Sequence, residues 1–183
     1  LECYPVDEVV VGESEALSHY TAEGYLAALK KLAAERPPDA IFTAATAAGK
    51  DFGARLAACL GTGLASDCID VEKGDGGFVF VRPVYAGKAL TKVTFPDARP
   101  QVVSIRPKMF APAEASYDKA QVTSFDPGVD ASSLRAKVKE VVRASGEFVD
   151  VTEAEYVVSG GRGMKDPKNF AMLEELAKVL GGS

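Results

Sequence analysis

The sequence is poor in the residue types and patterns that mark several classes of protein. It has no tryptophan and one histidine among 183 residues. No apolar run approaches the roughly 20 residues that a membrane-spanning helix needs, which argues against a membrane-embedded protein. Basic residues are not in excess either, since 21 Lys and Arg face 26 Asp and Glu, for a net charge of −5. Because nucleic-acid binding needs a concentrated basic surface, nucleic acid is not expected as a partner.

Cysteine and histidine are too few for the sites they usually build. Cys3, Cys59 and Cys68 form no Cys-x-x-Cys motif and accompany no group of histidines, so a disulfide scaffold and a zinc site are both unexpected. His19 has no Ser, Cys or Asp motif beside it, and we expect a surface histidine rather than a catalytic base. The first residues lack a secretory signal pattern. Reduced thiols fit the cytoplasm, or the mitochondrial matrix in a eukaryote.

The composition is that of a globular protein, with 47% hydrophobic and 26% charged residues. In the first third of the chain, short apolar runs alternate with amphipathic segments. Strands are predicted over 7–12 and 39–44, and helices over 17–35 and 50–60. Strands and helices that alternate in this order predict β-α-β units and a parallel sheet.

After residue 65 the pattern changes to short apolar runs separated by turn residues. Four strands are predicted there, over 67–71, 78–83, 90–95 and 101–106. Short strands joined by turn residues favour hairpins along one edge of the sheet. The predictions for the rest of the chain are a loop over 107–133, strands over 137–145 and 156–159, and a helix over 167–180.

Together these elements predict an α/β fold. We expect a mixed sheet with a parallel core and an antiparallel hairpin extension.

One glycine-rich segment lies between the predicted strand and helix near the end of the chain. It consists of Ser159, Gly160, Gly161, Arg162 and Gly163. Such a loop at the carboxyl end of a strand is a common phosphate site, because glycines let the backbone approach an anion and a helix N-terminus presents free N–H groups. Arg162 adds a planar cation suited to a phosphate or an aromatic ring. The alternative is a tight turn with a solvated arginine.

Two further segments have the residue types of a binding loop. Residues 43–50 (TAATAAGK) lead from a strand into a helix, and their small side chains could admit a nucleotide or only allow a tight turn over the sheet. Residues 82–89 (RPVYAGKA) form a hairpin in which Arg82 and Tyr85 could contact a partner or the edge of a cofactor, or form an exposed rim.

These segments also resemble a known family. Residues 157–163 (VVSGGRG), followed by Asn169-Phe170 and the run LEELA at 173–177, are similar to a segment of the electron transfer flavoprotein alpha subunit. The hairpin at 82–89 and the run VSIRP at 103–107 resemble two other segments of that family. The resemblance covers most of the chain.

The resemblance implies a cofactor, partners and a role. Members of the family hold FAD together with a beta subunit, and they carry electrons from acyl-CoA or other dehydrogenases, as in fatty acid β-oxidation, to a quinone reductase or another acceptor. The protein would be an electron carrier rather than an enzyme that converts a substrate, because the redox chemistry belongs to the flavin. Arg162 would contact FAD, with Ser159, Gly160, Gly161 and Gly163 shaping its loop.

The resemblance also implies a Rossmann-like three-layer domain over 1–150, with a mostly parallel sheet and an antiparallel hairpin extension. Residues 151–183 would then be the first strand and helix of the FAD-binding domain. The beginning of the first domain and most FAD contacts would then lie outside this chain, which alone would bind FAD weakly or not at all. An apolar strand without its neighbours could pair with a second copy and give a swapped homo-oligomer.

Two other functions stay open on the sequence alone. The chain could be a Rossmann-like module that binds an adenine nucleotide through 43–50 or 159–165. It could also be a docking module whose sheet extension contacts another subunit.

Overall fold

The computed structural model describes residues 1–115, 119–142, 151 and 154–183. They form two compact units, 1–139 and 140–183. The domain boundary predicted between 150 and 151 adjoins residues outside the described ranges and stays a prediction. No helix in the described part of the chain is long and apolar enough to cross a membrane.

In the first unit, strands alternate with helices as far as the third strand, and five further strands follow. These elements are β1 Glu8–Gly12, α1 Ala22–Glu35, β2 Ala40–Ala44, α2 Ala47–Cys59, β3 Leu64–Cys68, β4 Asp70–Gly74, β5 Gly77–Val84, β6 Ala89–Val93, β7 Gln101–Ile105 and β8 Gln121–Phe125. In the second unit, two 3₁₀ turns at Arg162–Met164 and Pro167–Asn169 precede α3 Phe170–Leu180.

The strands pair in parallel near the helices and antiparallel in the extension. β2, β7 and β3 form a parallel sheet with β7 in the centre, and β1 pairs in parallel with β8. β4, β5 and β6 form an antiparallel sheet. The α/β class, the parallel sheet and the antiparallel extension are therefore confirmed.

The prediction that 101–106 belongs to the antiparallel extension is wrong. β7 is the central strand of the parallel sheet, and its residues Gln101 to Ser104 are all buried. An apolar strand covered on both faces is typical of a parallel sheet. The segment predicted as one strand over 67–71 is also two strands, because the chain turns at Asp67, which has a φ of +57°, and passes from β3 into β4.

Two predictions in the second half of the first unit also fail. Residues 121–125, predicted as loop, form β8, because pairing with β1 supplies the hydrogen bonds that this half-polar segment needs. Residues 137–142 are not a strand, and the rest of the strand predicted over 137–145 lies outside the described residues.

Both helices of the first unit begin where a threonine caps them. The Thr21 hydroxyl accepts a hydrogen bond from the Gly24 N–H at 3.3 Å, so α1 begins at Ala22 rather than at residue 17. The Thr46 hydroxyl accepts one from the Gly49 N–H at 3.2 Å, so α2 begins earlier than predicted. A threonine that accepts a bond from the third N–H of a helix satisfies one of its four free donors.

The first turn of α2 lies very close to the end of β2. A Cβ atom added at Gly49 would be 1.9 Å from the Ala44 carbonyl oxygen, a distance that no real side chain tolerates. One turn later, a Cβ at Gly53 would be 3.5 Å from the Thr43 hydroxyl, which is ordinary contact. Only Gly49 is therefore required for the close approach of helix and strand.

The core of the first unit lies where β5 packs against the parallel sheet. Phe80, Val103, Ala65 and Cys68 are completely buried there. Burying one such large apolar side chain contributes about 1.5–3 kcal/mol. This core fixes the position of the antiparallel sheet on the parallel sheet.

Candidate functional site

The glycine-rich loop in the second unit is exposed along its whole length. Every residue from Ser159 to Gly163 is exposed. Its shape is maintained by backbone bonds, since the Met164 N–H donates to the Gly161 carbonyl at 2.9 Å and the Lys165 N–H donates to the Arg162 carbonyl at 3.2 Å. The Asn169 side-chain amide also donates to the Met164 carbonyl at 2.7 Å. Residues that follow the loop in sequence thus maintain its shape, while the loop residues themselves are exposed.

The three glycines of this loop differ in what surrounds them. A Cβ at Gly160 would be 2.4 Å from Leu173 Cδ1 and 2.9 Å from Met164 Cγ, so Gly160 is needed for packing within the chain. In the part of the chain that the structure describes, a Cβ at Gly161 or Gly163 would meet nothing within 4 Å. Space at these two glycines is what a ligand in contact with the loop backbone would require.

Arg162 begins a 3₁₀ turn and its side chain is exposed. No hydrogen bond or ion pair involves its guanidinium within the described residues. The helix predicted over 167–180 is shorter than expected, because α3 begins only at Phe170 and does not directly follow the loop. Residues between them are taken up by a second 3₁₀ turn, which Asp166 caps by accepting a bond from the Lys168 N–H at 2.9 Å.

The segment before the loop is extended but does not form the predicted strand over 156–159. Its hydrogen bonds go to the end of the chain: the Val158 N–H donates to the Ser183 carbonyl at 2.7 Å, and the Ser183 N–H donates to the Tyr156 carbonyl at 3.0 Å. Two bonds to one residue are too few for a ladder. The swapped homo-oligomer stays a prediction, and strictly monomeric sedimentation at high concentration would contradict it.

An apolar cleft of about 410 Å³ borders the loop. Its walls include Val158, Phe170 and Leu173 together with Ser159 and Gly160 of the loop. Within its described residues, the second unit therefore has an apolar cleft at the start of the loop, and open glycines with an unpaired Arg162 further along the loop.

In the first unit, the hydroxyls of 43–50 serve the fold. The Thr43 hydroxyl donates to the Val103 carbonyl at 3.2 Å, and the Thr46 hydroxyl caps α2. Lys50 is the last residue of this segment, and the sequence did not predict its charged neighbours. The Lys50 Nζ lies 3.9 Å from an Asp67 carboxylate oxygen, and Arg106 binds the same carboxylate through two nitrogens, at 3.2 and 2.7 Å. No spacing in the sequence connects these three residues.

The Asp67–Arg106 pair makes stability depend on pH. Hydrogen bonding from Arg106 holds the pKa of Asp67 below its ordinary value of 3.8. A carboxyl with a lowered folded-state pKa stabilises the fold above the unfolded pKa and loses this contribution as pH falls through the folded pKa. Asp67→Asn keeps a residue type that tolerates the left-handed backbone and removes the charge.

We expect Asp67→Asn to lower the unfolding free energy by about 1 kcal/mol at neutral pH. The difference from wild type should shrink as pH falls below 3.8 and vanish once Asp67 is protonated. Urea titrations at neutral and acid pH measure this. Glu72→Gln, which breaks the exposed Lys92–Glu72 pair, is the control and should change stability less. An equal loss for Asp67→Asn at both pH values would contradict the charge-based account.

The hairpin at 82–89 carries an aromatic residue at its tip. Tyr85 and Ala86 have φ values of +52° and +54°, as a type I′ turn requires, and Tyr85 is 80% exposed. Non-glycine residues adopt this conformation at some energetic cost. A partner or cofactor contact through Tyr85 stays a prediction.

Each of the two units contains a segment that matches a known protein family. Residues 1–130 match the model of the electron transfer flavoprotein domain, and residues 150–183 match the model of the electron transfer flavoprotein FAD-binding domain. The chain belongs to the electron transfer flavoprotein family. The resemblance inferred from the sequence motifs is thereby confirmed, and the glycine-rich loop lies in the part that matches the FAD-binding domain.

The relatives of this flavoprotein chain are alpha subunits and proteins similar to them. It is 39% identical to the electron transfer flavoprotein subunit alpha of Bacillus subtilis over 182 residues, covering 98% of this chain and 55% of the relative. It is 39% identical to the FixB protein of Clostridium saccharobutylicum over 179 residues, covering 97% and 54%. Against the LctC subunit of the lactate dehydrogenase (NAD(+),ferredoxin) of Acetobacterium woodii, identity is 31% over 184 residues, covering 98% and 43%. The chain thus spans about half the length of the curated relatives it matches.

Proposed function

We propose that this chain acts as the alpha subunit of an electron transfer flavoprotein and contacts FAD through the loop from Ser159 to Gly163. It would pair with a beta subunit and pass electrons from dehydrogenases to a quinone reductase or another acceptor. The observation that carries the proposal is the exposed Arg162, which has no partner among the described residues and lies between two glycines with free space, in a segment similar to the family's FAD-binding domain.

The residues present fit such a cofactor. FAD combines an anionic pyrophosphate with a flat ring system and, when bound, supplies the electron-carrying chemistry. The free space at Gly161 and Gly163 would let phosphate or ring atoms reach the loop backbone. The apolar cleft beside Phe170 and Leu173 would bury part of the ring or its side chain.

The roles of the individual residues follow from their contacts. Arg162 would provide a fixed positive charge and a planar group, which suit phosphate oxygens and aromatic rings. Gly160 would keep the loop close to Leu173, and Asn169 would hold the turn through the Met164 carbonyl. Ser159 would contribute a hydroxyl at the inner end of the loop.

We propose only the class of the electron donor, which is a dehydrogenase. One relative is named as a subunit of a lactate dehydrogenase and others as FixB or alpha subunits, so we do not restrict the donor to acyl-CoA dehydrogenases or the pathway to fatty acid β-oxidation. Because the relatives named here are bacterial, we place the protein in a cytoplasm. It would carry electrons rather than convert a substrate.

The test is to mix the chain with its beta subunit and FAD and to separate the complex by size-exclusion chromatography. The proposal predicts that flavin absorbance coelutes with both subunits and is bleached when a reduced dehydrogenase is added. The chain alone should retain less FAD than the pair. A stable pair that contains no flavin would favour a docking module. Binding of an adenine nucleotide with no binding of FAD would favour the nucleotide module.

A further inference from the structure

The two parallel sheets of the first unit do not join at β1 and β2, the strands that α1 connects. β1 pairs with β8 and β2 pairs with β7, and among the described residues neither β1 nor β2 has a strand on its other edge. The two strands are nevertheless tied together near both ends. The Arg36 guanidinium donates to the Glu8 carboxylate at 2.6 Å near their amino ends, and the Tyr20 hydroxyl donates to the Ala48 carbonyl at 3.3 Å near their carboxyl ends. β1 and β2 are therefore held near each other without pairing.

The unpaired edges of these strands present backbone groups that can bond a further strand. Along a strand, the N–H and C=O groups of successive residues point alternately to its two edges. The Asp39 carbonyl accepts a bond from the first N–H of β7 at 2.8 Å, so the backbone of Phe42 faces away from β7. The Asp7 carbonyl accepts a bond from the first N–H of β8 at 3.4 Å, so the backbone of Val10 faces away from β8. In the part of the chain that the structure describes, no strand lies opposite Val10 or Phe42 on these edges.

An apolar cleft of about 350 Å³ lies under α1, beside β1. Its walls include Val10 of β1, Leu29 and Leu32 of α1, and Phe52 of α2. In a parallel crossover, the connecting helix packs back onto the sheet that contains its two strands. Here the apolar face of α1 borders a cleft instead of a covered sheet. The cleft has room for the side chains of a strand between β1 and β2.

The composition of the strand edges points the same way. The outer strand β8 is half-polar (QVTSF), and the register of the outer strand β3 is interrupted between Ala65 and Cys68. Polar residues and irregularities are devices that discourage an edge from adding another strand. β1 (EVVVG) and β2 (AIFTA) contain neither Lys nor Pro, and Phe42 is 49% exposed. The two inner edges are therefore suited to pairing, and the two outer strands are not.

We propose that an extended segment rich in Val and Ile, from the same polypeptide but outside residues 1–183, inserts as a parallel strand between β1 and β2. The strand order would become β8, β1, the inserted strand, β2, β7 and β3. The inserted backbone would bond the free edges at Val10 and Phe42, and its side chains would fill the cleft under α1. Strands in the centre of a parallel sheet are typically continuous apolar runs. This inference concerns the first unit and does not depend on FAD binding.

The position of the gap favours a segment of the same polypeptide over a separate molecule. A strand between two strands of one unit belongs to its core, and a covalently linked segment is present there at a high effective concentration. The curated relatives named above are about twice as long as this chain. A polypeptide of that length has residues outside the matched part that could supply the strand.

The test is backbone amide hydrogen exchange, measured by NMR on the chain 1–183 and on the protein expressed from its complete reading frame. We expect the N–H groups of Val10 and Phe42 to exchange at least about a hundredfold more slowly in the longer protein. The N–H groups of Val9 and Ile41 point to β8 and β7, so they are the internal control and should already be protected in the chain 1–183.

Two variants test whether the cleft is the place of insertion. Val10→Asp puts a carboxylate into the cleft and should abolish the added protection of Phe42 in the longer protein. Val122→Asp is the matched control, because Val122 is 53% exposed on β8, and it should leave that protection unchanged. The comparison of the two wild-type proteins decides the proposal even if Val10→Asp does not fold.

Three results would overturn the proposal. Rapid exchange of Phe42 in the longer protein, or a reading frame that adds no residues, would exclude the inserted segment. Protection of Phe42 that appears only at concentrations where sedimentation detects a dimer would identify a second copy as the source of the strand. Protection that appears only after another subunit is added would identify a strand of that partner.

Discussion

Replacing Gly49 by alanine is expected to lower the unfolding free energy by about 3 kcal/mol and the melting temperature by roughly 10 °C. The added Cβ would lie 1.9 Å from the Ala44 carbonyl oxygen, which is backbone and has no rotamer to adopt. Helix α2 must therefore move away from β2, and Leu56 and Ala57, both buried, lose part of their packing. Thermal and urea unfolding followed by circular dichroism measure the loss.

Gly53→Ala is the matched control, because Gly53 is a buried glycine in the same helix. Its added Cβ would meet only the Thr43 hydroxyl at 3.5 Å. Since alanine is favoured over glycine in a helix by about 1 kcal/mol, this variant should be as stable as wild type or more stable. If Gly49→Ala and Gly53→Ala behaved alike, the close approach of α2 to β2 would be wrong.

Replacing Gly161 by valine is expected to weaken FAD binding by at least about tenfold, or about 1.4 kcal/mol, without a loss of stability. Gly161 has an extended backbone, with a φ of −128°, which a β-branched residue adopts readily. Its Cβ would meet no atom of the described residues within 4 Å. The valine side chain would instead fill the space proposed for the cofactor.

Gly160→Ala should show the opposite behaviour. Its Cβ would collide with Leu173 Cδ1 at 2.4 Å, and because that atom is the far end of a flexible side chain, we expect a loss of only about 1 kcal/mol in stability. Comparing the melting temperature and the FAD affinity of the two variants separates packing from ligand contact. A Gly161→Val protein that unfolds early but binds FAD normally would contradict the assignment of Gly161 to ligand contact.

Local patterns in the sequence identified most elements of the first unit. The apolar runs of β1 and β2 and the apolar stripes of α1 and α2 led to the correct α/β class, because their periodicity reflects burial directly. The errors at the helix starts came from Thr21 and Thr46, whose capping roles depend on which N–H their hydroxyls reach. The first residue of a helix is decided by such single contacts rather than by the periodicity of its apolar residues.

The pairing of strands that lie far apart in the sequence was harder to predict. β8 has a half-polar sequence and becomes a strand through its pairing with β1, more than 100 residues earlier in the chain. β7 follows three strands of the antiparallel sheet and nevertheless joins the parallel sheet between β2 and β3. Neither partner is encoded in the local pattern, since strand register depends on which faces are buried in the whole fold.

The sequence motif identified the candidate loop, but the sequence did not predict the structure on either side of it. The loop from Ser159 to Gly163 lies where the sequence placed it, between an extended segment and a helix. The expected strand before it is only an extended segment paired with Ser183, and the N-terminus of α3 at Phe170 does not adjoin the loop. The Asp67–Arg106 pair was missed because the two residues meet only through the packing of β3 beside β7.

FAD titration of the chain paired with its beta subunit, comparing wild type with Arg162→Ala and Lys168→Ala, tests the central claim most directly. Lys168 is an exposed cation of the same unit that lines a shallow pocket with Gly163, so its loss removes a neighbouring positive charge but leaves Arg162 in place. The account predicts that Arg162→Ala weakens FAD binding by about tenfold to a hundredfold, as expected for a charged hydrogen bond, and that Lys168→Ala has no effect. Equal FAD affinity in all three proteins would contradict the assignment of this loop to the flavin.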